Sequence, residues 1–507
     1  METTSTAATP VSVQPQTALY GDTLRSIFEK QLIGTNGSGL WCQALQNGNI
    51  WRSSWAFDTL LDCLSTMNDL QPGYQPPKCT DGLSFMDFSL ENGLNASSGD
   101  WWDDFGWFGI ACLRAAESGR VTDEQKRLLL RKAVNAWAYM FGNGWDGSNP
   151  LNFGQFSVPY PDAWDKDGIR NNQGAPNVYK YATSYRVPNP ATYLPFAPFF
   201  QTGGIWNSTL TGTDPKTRQH DRYNPDQSYL SPLQNTVTNA VYALLSLRIF
   251  NAITNPAYAR YFSDNPVNTT VVYMSWMNQL TWFRNWLFDP LNQFDNIDRK
   301  LLMPLDQFSA LVRERVSSFA NNKWDAAYYK GLAWTGDQGL LIGLLRESEE
   351  KVRNSAIPGD FRWLSSYSLL LNGMREQLYS EQDVPTLGVQ LRPWIQYSDA
   401  TGEATFPDFP EGDDADYQTG IAVFYRYLLQ LQAKDATLAA PFRDQVFATA
   451  NAICASDFPA PADDVYYSCE GMVRQIPDSA DRQTYNFLTP WVNRIALLCM
   501  AIRLSKQ

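Results

Sequence analysis

The sequence predicts an all-α protein whose helices close into a toroid of inner and outer rings, with long ordered loops over one face. Three observations lead there. Almost every periodic apolar segment has the 3.6-residue spacing of a helix, and almost none alternates as a half-buried strand would. Segments such as WFGIACL (107–113) and TGIAVFYRYLLQL (419–431) are apolar nearly all round, as helices enclosed by other helices should be. No Ser/Gly linker or shift in composition divides the chain, so about twelve helices have to share one core. Residues 17–507 are accordingly read as one domain.

Taken in order, residues 1–16 (METTSTAATPVSVQPQ) are polar and carry neither a basic start nor an apolar core. They read as a disordered tail and not as a signal peptide, which assigns no compartment and slightly favours the cytoplasm. Helices are then expected around 19–33, 51–66 and 103–118. Thr122-Asp-Glu-Gln125 is a capping box opening an amphipathic helix through Leu128, Leu129, Ala133, Trp137 and Met140. A helix over 230–250 follows, then one in which Tyr273, Trp276, Leu280, Phe283 and Leu287 form one stripe. Further helices are expected over 308–320, 335–348, 360–378, 414–434 and 440–455. Thr489 before Pro490 reads as an N-cap with proline at the first helical position, starting a last helix through Leu498 and Ile502. The long connections at 143–229, 289–307 and 379–413 are rich in Gly, Asn, Pro and aromatics, so they read as packed loops roofing a site.

Composition narrows the chemistry. The chain holds 18 Trp, 25 Tyr and 27 Phe but a single histidine, His220. A His-based metal site, a Ser-His-Asp triad or a His acid/base pair would have to run through that one residue, which lies in a polar stretch and reads as solvated. A net charge of −12 disfavours nucleic acid and anionic membrane as partners. The apolar run IALLCMAI is too short to span a bilayer. Seven cysteines show no CxxC pair, which argues against zinc. Cys63, Cys112 and Cys499 sit in apolar helical patterns and read as small buried hydrophobes. Cys42 with Cys79 and Cys454 with Cys469 fall in loop-like or terminal segments that would pair in an oxidising compartment. Asn36, Asn95, Asn207 and Asn268 begin N-x-S/T sequons, at the frequency chance gives. No metal or organic cofactor is implied, the ligand is expected to be a glycan or small molecule, and the protein is expected to be a monomer.

One segment stands apart. In Trp101-Trp102-Asp103-Asp104-Phe105-Gly106-Trp107-Phe108, two adjacent aspartates open an apolar helix behind two tryptophans. Asp413-Asp414 and Asp463-Asp464 are also adjacent pairs, but they read as an N-cap and as plain loop. Around Asp103-Asp104 the aromatics would desolvate both carboxyls, and mutual repulsion would push their proton affinities apart. One would stay ionised as a nucleophile while the other kept a proton as an acid. Neighbours at a helix start place carboxyl groups about 5–6 Å apart, which suits a retaining glycosidase better than an inverting one.

WWDDFGWFGIACLRAAE resembles the signature of glycoside hydrolase family 76, the endo-α-1,6-mannanases and their fungal cell-wall relatives, whose core reads roughly DDxxWxxLA. Three further segments fit in the same chain order. Gly203-Gly204-Ile205-Trp206 followed by Asn235-Thr236-Val237-Thr238-Asn239 resembles the GG(I/L)W…KNxxxN stretch. Trp334-Thr335-Gly336-Asp337-Gln338-Gly339 resembles the (Y/W)TYNQG turn, and Tyr417-Gln418-Thr419-Gly420-Ile421 through Arg426 resembles the FKGIFxR helix. The resemblance runs from about residue 50 to 430. It implies an (α/α)6 toroid with Asp103 as nucleophile and Asp104 as general acid/base, acting on α-mannose-containing glycans, in a family whose members are secreted. The sequence departs from the pattern at Gln234, Gly336-Asp337 and Thr419, all on the sugar side of the motifs.

The candidate substrate-binding residues are Trp55, Asp58, Trp102, Trp107, Trp206, Asn239, Asp337 and Gln338. Tryptophan faces stack on sugar C–H surfaces, and carboxylates and amides bind hydroxyls. The plain alternatives are core packing for the tryptophans and helix capping for Asp337 and Gln338. Three other activities fit the same residues: a transglycosylase, a repurposed fold acting on a hydrophobic small molecule in an intracellular pathway, and a non-catalytic glycan-binding protein.

Overall fold

The computed structural model describes residues 15–46, 50–94, 102–144, 204–205, 235–263, 267–288, 300–314, 318–320, 323–325, 332–380, 390–391, 394–398, 403–405, 419–455, 465–467, 473–475 and 482–506. Among them helices dominate. We number the main ones α1 (Thr17–Ser26), α2 (Ile50–Leu70), α3 (Phe85–Asn92), α4 (Trp102–Glu117), α5 (Asp123–Gly144) and α6 (Thr236–Thr254). The series continues with α7 (Thr269–Phe288), α8 (Thr335–Asn354), α9 (Tyr367–Gln377), α10 (Gly420–Lys434), α11 (Arg443–Ala455) and α12 (Arg482–Ser505).

The even-numbered helices form a closed ring. α2 packs on α4, α4 on α6, α6 on α8, α8 on α10, α10 on α12, and α12 returns to α2. The odd-numbered helices clothe that ring: α5 lies against α4 and α6, α7 against α6, α9 against α8, and both α1 and α11 against α12. This is the predicted (α/α)6 toroid. The apolar character of the inner helices follows from their place. Every side chain of α6 from Thr236 to Ile249 is buried, because neighbours cover it on all sides. By length and composition α6 is also the one described helix apolar enough to cross a membrane, yet here it is a wall of the ring.

Local chemistry fixes the helix ends. The capping box at α5 forms as read: Thr122 Oγ1 accepts from the Gln125 amide at 3.2 Å, and Gln125 Oε1 accepts from the Thr122 amide at 2.9 Å. Ser84 caps α3 by accepting from the Asp87 amide, and Asn235 caps α6 by accepting from that of Thr238.

Chain order sets direction. Connections 71–84, 118–122, 255–268, 355–366 and 435–442 each lead from the end of an inner helix into the next outer one. Inner and outer helices therefore alternate in direction, and all six inner helices start at the same end of the toroid. The longer connections 145–235, 289–334, 378–419 and 456–481 lead back to that end.

The structure departs from the reading in several places. The helix expected over 308–320 is absent. Ala310–Val312 is a strand paired antiparallel with Leu302–Pro304, and Ser318–Ala320 pairs with Lys323–Asp325. Asp306 causes the reversal: its Oδ1 accepts from the amides of Phe308 and Ser309, a side-chain-built turn that competes with helix. The last helix begins at Arg482, so Pro490 lies inside it and not at its first turn. The segment read as 19–33 changes to a π-helix at Ile27–Ile33, and 360–378 splits into a 3-10 turn at Arg362–Ser366 and α9. The short helices Leu40–Gln46 and α3 went unread, as they hold too few turns for a periodic signal. Cys63, Cys112 and Cys499 are buried in helices as expected. Residues 1–14 of the expected tail, His220, Cys469, the other two Asp-Asp pairs and most of the long loops lie outside the described residues.

Candidate functional site

α4 starts at Trp102, so Asp103 and Asp104 occupy its first turn at the end where every inner helix begins. Negative charge is favoured there by the helix dipole and the unpaired amides. Asp104 is buried and Asp103 partly so. Burial pushes the Asp103 carboxyl up to about 6, against a backbone hydrogen bond that pulls it down. Asp103 therefore holds a proton under conditions where ordinary aspartates are ionised.

Tight packing fixes this helix. Gly106 and Gly109 face α6, where a Cβ would overlap the side chains of Val241 and Leu245 respectively. Only glycine lets the two inner helices approach this closely. At the start of the helix Trp102, fully buried, meets Tyr139 of α5 edge-on at 5.3 Å, and Phe105 stacks on the same ring at 4.4 Å.

One turn beyond Asp103, Trp107 lies over a buried charge network. The Arg426 guanidinium of α10 is 5.3 Å from its ring centre and 5.1 Å from that of Tyr427. Arg426 Nη1 donates to the Trp55 carbonyl at 2.6 Å, and its Nε lies 3.3 Å from Asp58 Oδ2. Arg114 Nε donates to Asp58 Oδ1 at 2.7 Å, and its Nη2 donates to Asp62. Arg248 Nη2 donates to Glu347 at 2.7 Å and to Gln430 at 3.0 Å. Five of the six inner helices (α2, α4, α6, α8 and α10) thus contribute to the polar groups below the aspartates. Burial raises Asp58, but Arg426 and Arg114 outweigh it and hold its carboxyl below the ordinary range. Asp62 shares Arg114 and is pushed up to about 6, chiefly by burial.

The structure distributes the predicted substrate residues unevenly. Trp55, Trp102 and Trp107 are all buried. The indole N–H groups of Trp55 and Trp102 have no hydrogen-bond partner among the described residues. Asp58 is held by two arginines and belongs to the ionic network. Asn239 spends its whole amide on protein: Oδ1 accepts from Ile205 N (2.7 Å) and Gln279 Nε2 (2.6 Å), and Nδ2 donates to the Ile205 and Asn235 carbonyls. Gln338 is similarly committed, pairing with both backbone groups of Val312 at 2.7 Å and donating to the Trp334 carbonyl. These two amides pin the Gly204–Ile205 segment and the Ala310–Val312 strand to the starts of α6 and α8. Asp337 is buried in the first turn of α8. Trp206 lies outside the described residues.

Sequence reasoning missed Arg114, Arg248, Arg426, Asp62 and Glu347 as a unit. A signal was present in the arginines. Each sits alone in an apolar helical run (Arg114 in IACLRAA, Arg248 in LLSLRIF, Arg426 in AVFYRYLL), and a charge enclosed by apolar neighbours has to be paired.

The sequence matches no protein-family model and no curated protein. Solved structures to which it is similar include a family 76 α-mannanase of Bacteroides thetaiotaomicron, at 12% identity over 97% of this chain and 96% of that one, with a TM-score of 0.42. An inactive variant of the α-1,6-mannanase of Salegentibacter sp. HEL1_6, with two consecutive aspartates replaced by alanine and α-1,6-mannotetrose bound, is similar at 13% identity, with 96% and 99% covered and a TM-score of 0.46. Dfg5 of Chaetomium thermophilum in complex with glucosamine is similar at 12% identity, with 98% and 92% covered and a TM-score of 0.38.

Proposed function

We propose that this protein is a family 76-type glycosidase or transglycosylase that cleaves α-mannosidic bonds with retention, through Asp103 and Asp104. The observation that carries the reading is the position of two consecutive, desolvated aspartates in the first turn of an inner helix, at the end of the toroid that the long connections reach. The sequence resemblance spanning four motifs in chain order supports it.

In this reading the ionised carboxylate of Asp103 attacks the anomeric carbon while Asp104 protonates the departing glycosidic oxygen. The resulting glycosyl ester on Asp103 is then opened by water, or by a sugar hydroxyl in a transglycosylase, with Asp104 taking the proton. No cofactor is needed, since both steps move only protons and one glycosyl group. Asn239 and Gln338 serve as positioning residues, because their amides are already used within the protein. Trp55 and Trp102 offer indole N–H donors.

The test is turnover of α-1,6-linked mannooligosaccharides by the wild type, Asp103→Asn and Asp104→Asn. Each variant is expected to lose at least about 100-fold in rate, the low end of what positioned acid/base groups supply, while keeping its circular dichroism spectrum. Wild-type turnover left intact in either variant removes that residue from the mechanism. Lack of wild-type turnover on every α-mannoside tried removes the substrate class.

A further inference from the structure

We propose that Cys42 and Cys79 form a disulfide site, which staples the segment leading into α3 to the Leu40–Gln46 helix. The inference does not depend on the proposed activity.

Cys42 and Cys79 are both buried, and the two thiols influence each other's titration. The two segments also interlock without them. Gln46 Nε2 donates to Thr80 Oγ1 at 3.3 Å. Gly37, at φ +77°, packs so closely on Thr80 that a Cβ there would overlap its backbone and hydroxyl. The backbone around Cys79 is itself a closed turn, its amide donating to the Leu83 carbonyl at 2.9 Å and its carbonyl accepting from Gly82 at 3.3 Å. Cys42 lies one turn before Gln46 on the same face of its helix, so the Gln46–Thr80 contact brings Cys42 against Cys79.

Access and reactivity distinguish this pair from the second one. Cys63 and Cys499 also influence each other, but they lie inside α2 and α12 with no exposure. Cys79 lies directly beneath the exposed residues Lys78, Asp81 and Gly82, so a small opening of that turn admits an oxidant. The neighbouring Cys79 lowers the proton affinity of Cys42, which favours the Cys42 thiolate as attacking group.

With a low-molecular-weight disulfide as oxidant, the Cys42 thiolate attacks one of its sulfurs and expels one thiolate, leaving a mixed disulfide. The Cys79 sulfur then attacks the Cys42 sulfur, forming the protein disulfide. It expels the second thiolate, which takes up the proton from Cys79. Two protein thiols are oxidised and one small disulfide is reduced to two thiols.

The test is to equilibrate the full-length native protein with an oxidised/reduced glutathione buffer, alkylate without reduction and map the peptides by mass spectrometry. The expected product is a peptide pair joined through Cys42 and Cys79, lighter by two hydrogens than the separate thiol peptides, with Cys112 alkylated. Oxidation should raise the melting temperature of the wild type by a few degrees and leave Cys42→Ser unchanged, since a cross-link stabilises mainly by restricting the unfolded chain. Three outcomes overturn the proposal: both cysteines alkylated as free thiols, glutathione retained on either without a link, or Cys63–Cys499 joined in their place.

Discussion

Replacing Arg426 by methionine keeps most of the volume and removes the charge that ties α10 to α2 and α4. Asp58 would keep Arg114 but lose its second guanidinium, the Trp55 carbonyl would lose a donor, and the Trp107 face would lose its cation. Removing one partner from a buried charge network costs about 3–5 kcal/mol, because the groups left behind stay buried without it. Unfolding entropy near the melting temperature is about 2.1 cal/mol/K per residue. Over 507 residues this gives about 1.1 kcal/mol/K. The expected fall in melting temperature is thus about 3–5 °C if the toroid unfolds as one unit. Differential scanning calorimetry at pH 7 measures it, and the double variant Asp58→Asn/Arg426→Met should lose less than the sum of the two single changes. The pH dependence has a fixed sign. Asp58 is held below its unfolded value, so its contribution is present above about pH 4 and lost as pH falls through its lower folded value. The gap between wild type and Arg426→Met should shrink in that acid range. A melting temperature within about 1 °C of wild type at pH 7 would refute the view that this network braces the ring, since the bracing cost is several times larger.

Three further outcomes follow from the same geometry. With Asp103 as nucleophile and its carboxyl raised to about 6, kcat/KM should climb through about pH 6 on the acid side; a fall through that pH would exchange the roles of Asp103 and Asp104. Asp103→Asn should melt higher than wild type above pH 6. A carboxyl raised in the folded state adds stability that is present below about pH 4 and lost as pH rises through about 6, so calorimetry at pH 5 and 8 should show the variant's advantage growing with pH. Asn239→Ala removes the partner of both Ile205 backbone groups and of Gln279. It should cost about 1–3 kcal/mol in urea unfolding, and a loss below 0.5 kcal/mol would show that the segment is held by something else.

The fold was readable because inner helices such as α4 and α10 are apolar nearly all round and outer ones such as α5 are striped. The WFGIACL and TGIAVFYRYLLQL runs proved to be walls of the inner ring, and the Thr122 capping box formed atom for atom. The failures have local causes. Apolar spacing predicts a helix at 308–320, whereas Asp306 turns the chain and Gln338 supplies Val312 with its hydrogen-bond partners. At the site, Asp103-Asp104 stood out because adjacent carboxylates among aromatics are costly anywhere else. The same logic applied to Arg114, Arg248 and Arg426 would have exposed the network beneath them. What sequence spacing does not carry is whether a polar side chain serves a ligand or the protein: Asn239 and Gln338 read as sugar binders and instead fasten backbone.

The covalent step can be observed by intact-mass and peptide mass spectrometry after exposure to an activated 2-fluoro-α-mannoside, which slows release of a glycosyl-enzyme ester. A nucleophilic Asp103 should carry a single covalent fluoromannosyl group on its peptide, absent in Asp103→Asn. No adduct between pH 4 and 8, or an adduct on any other residue, would contradict it.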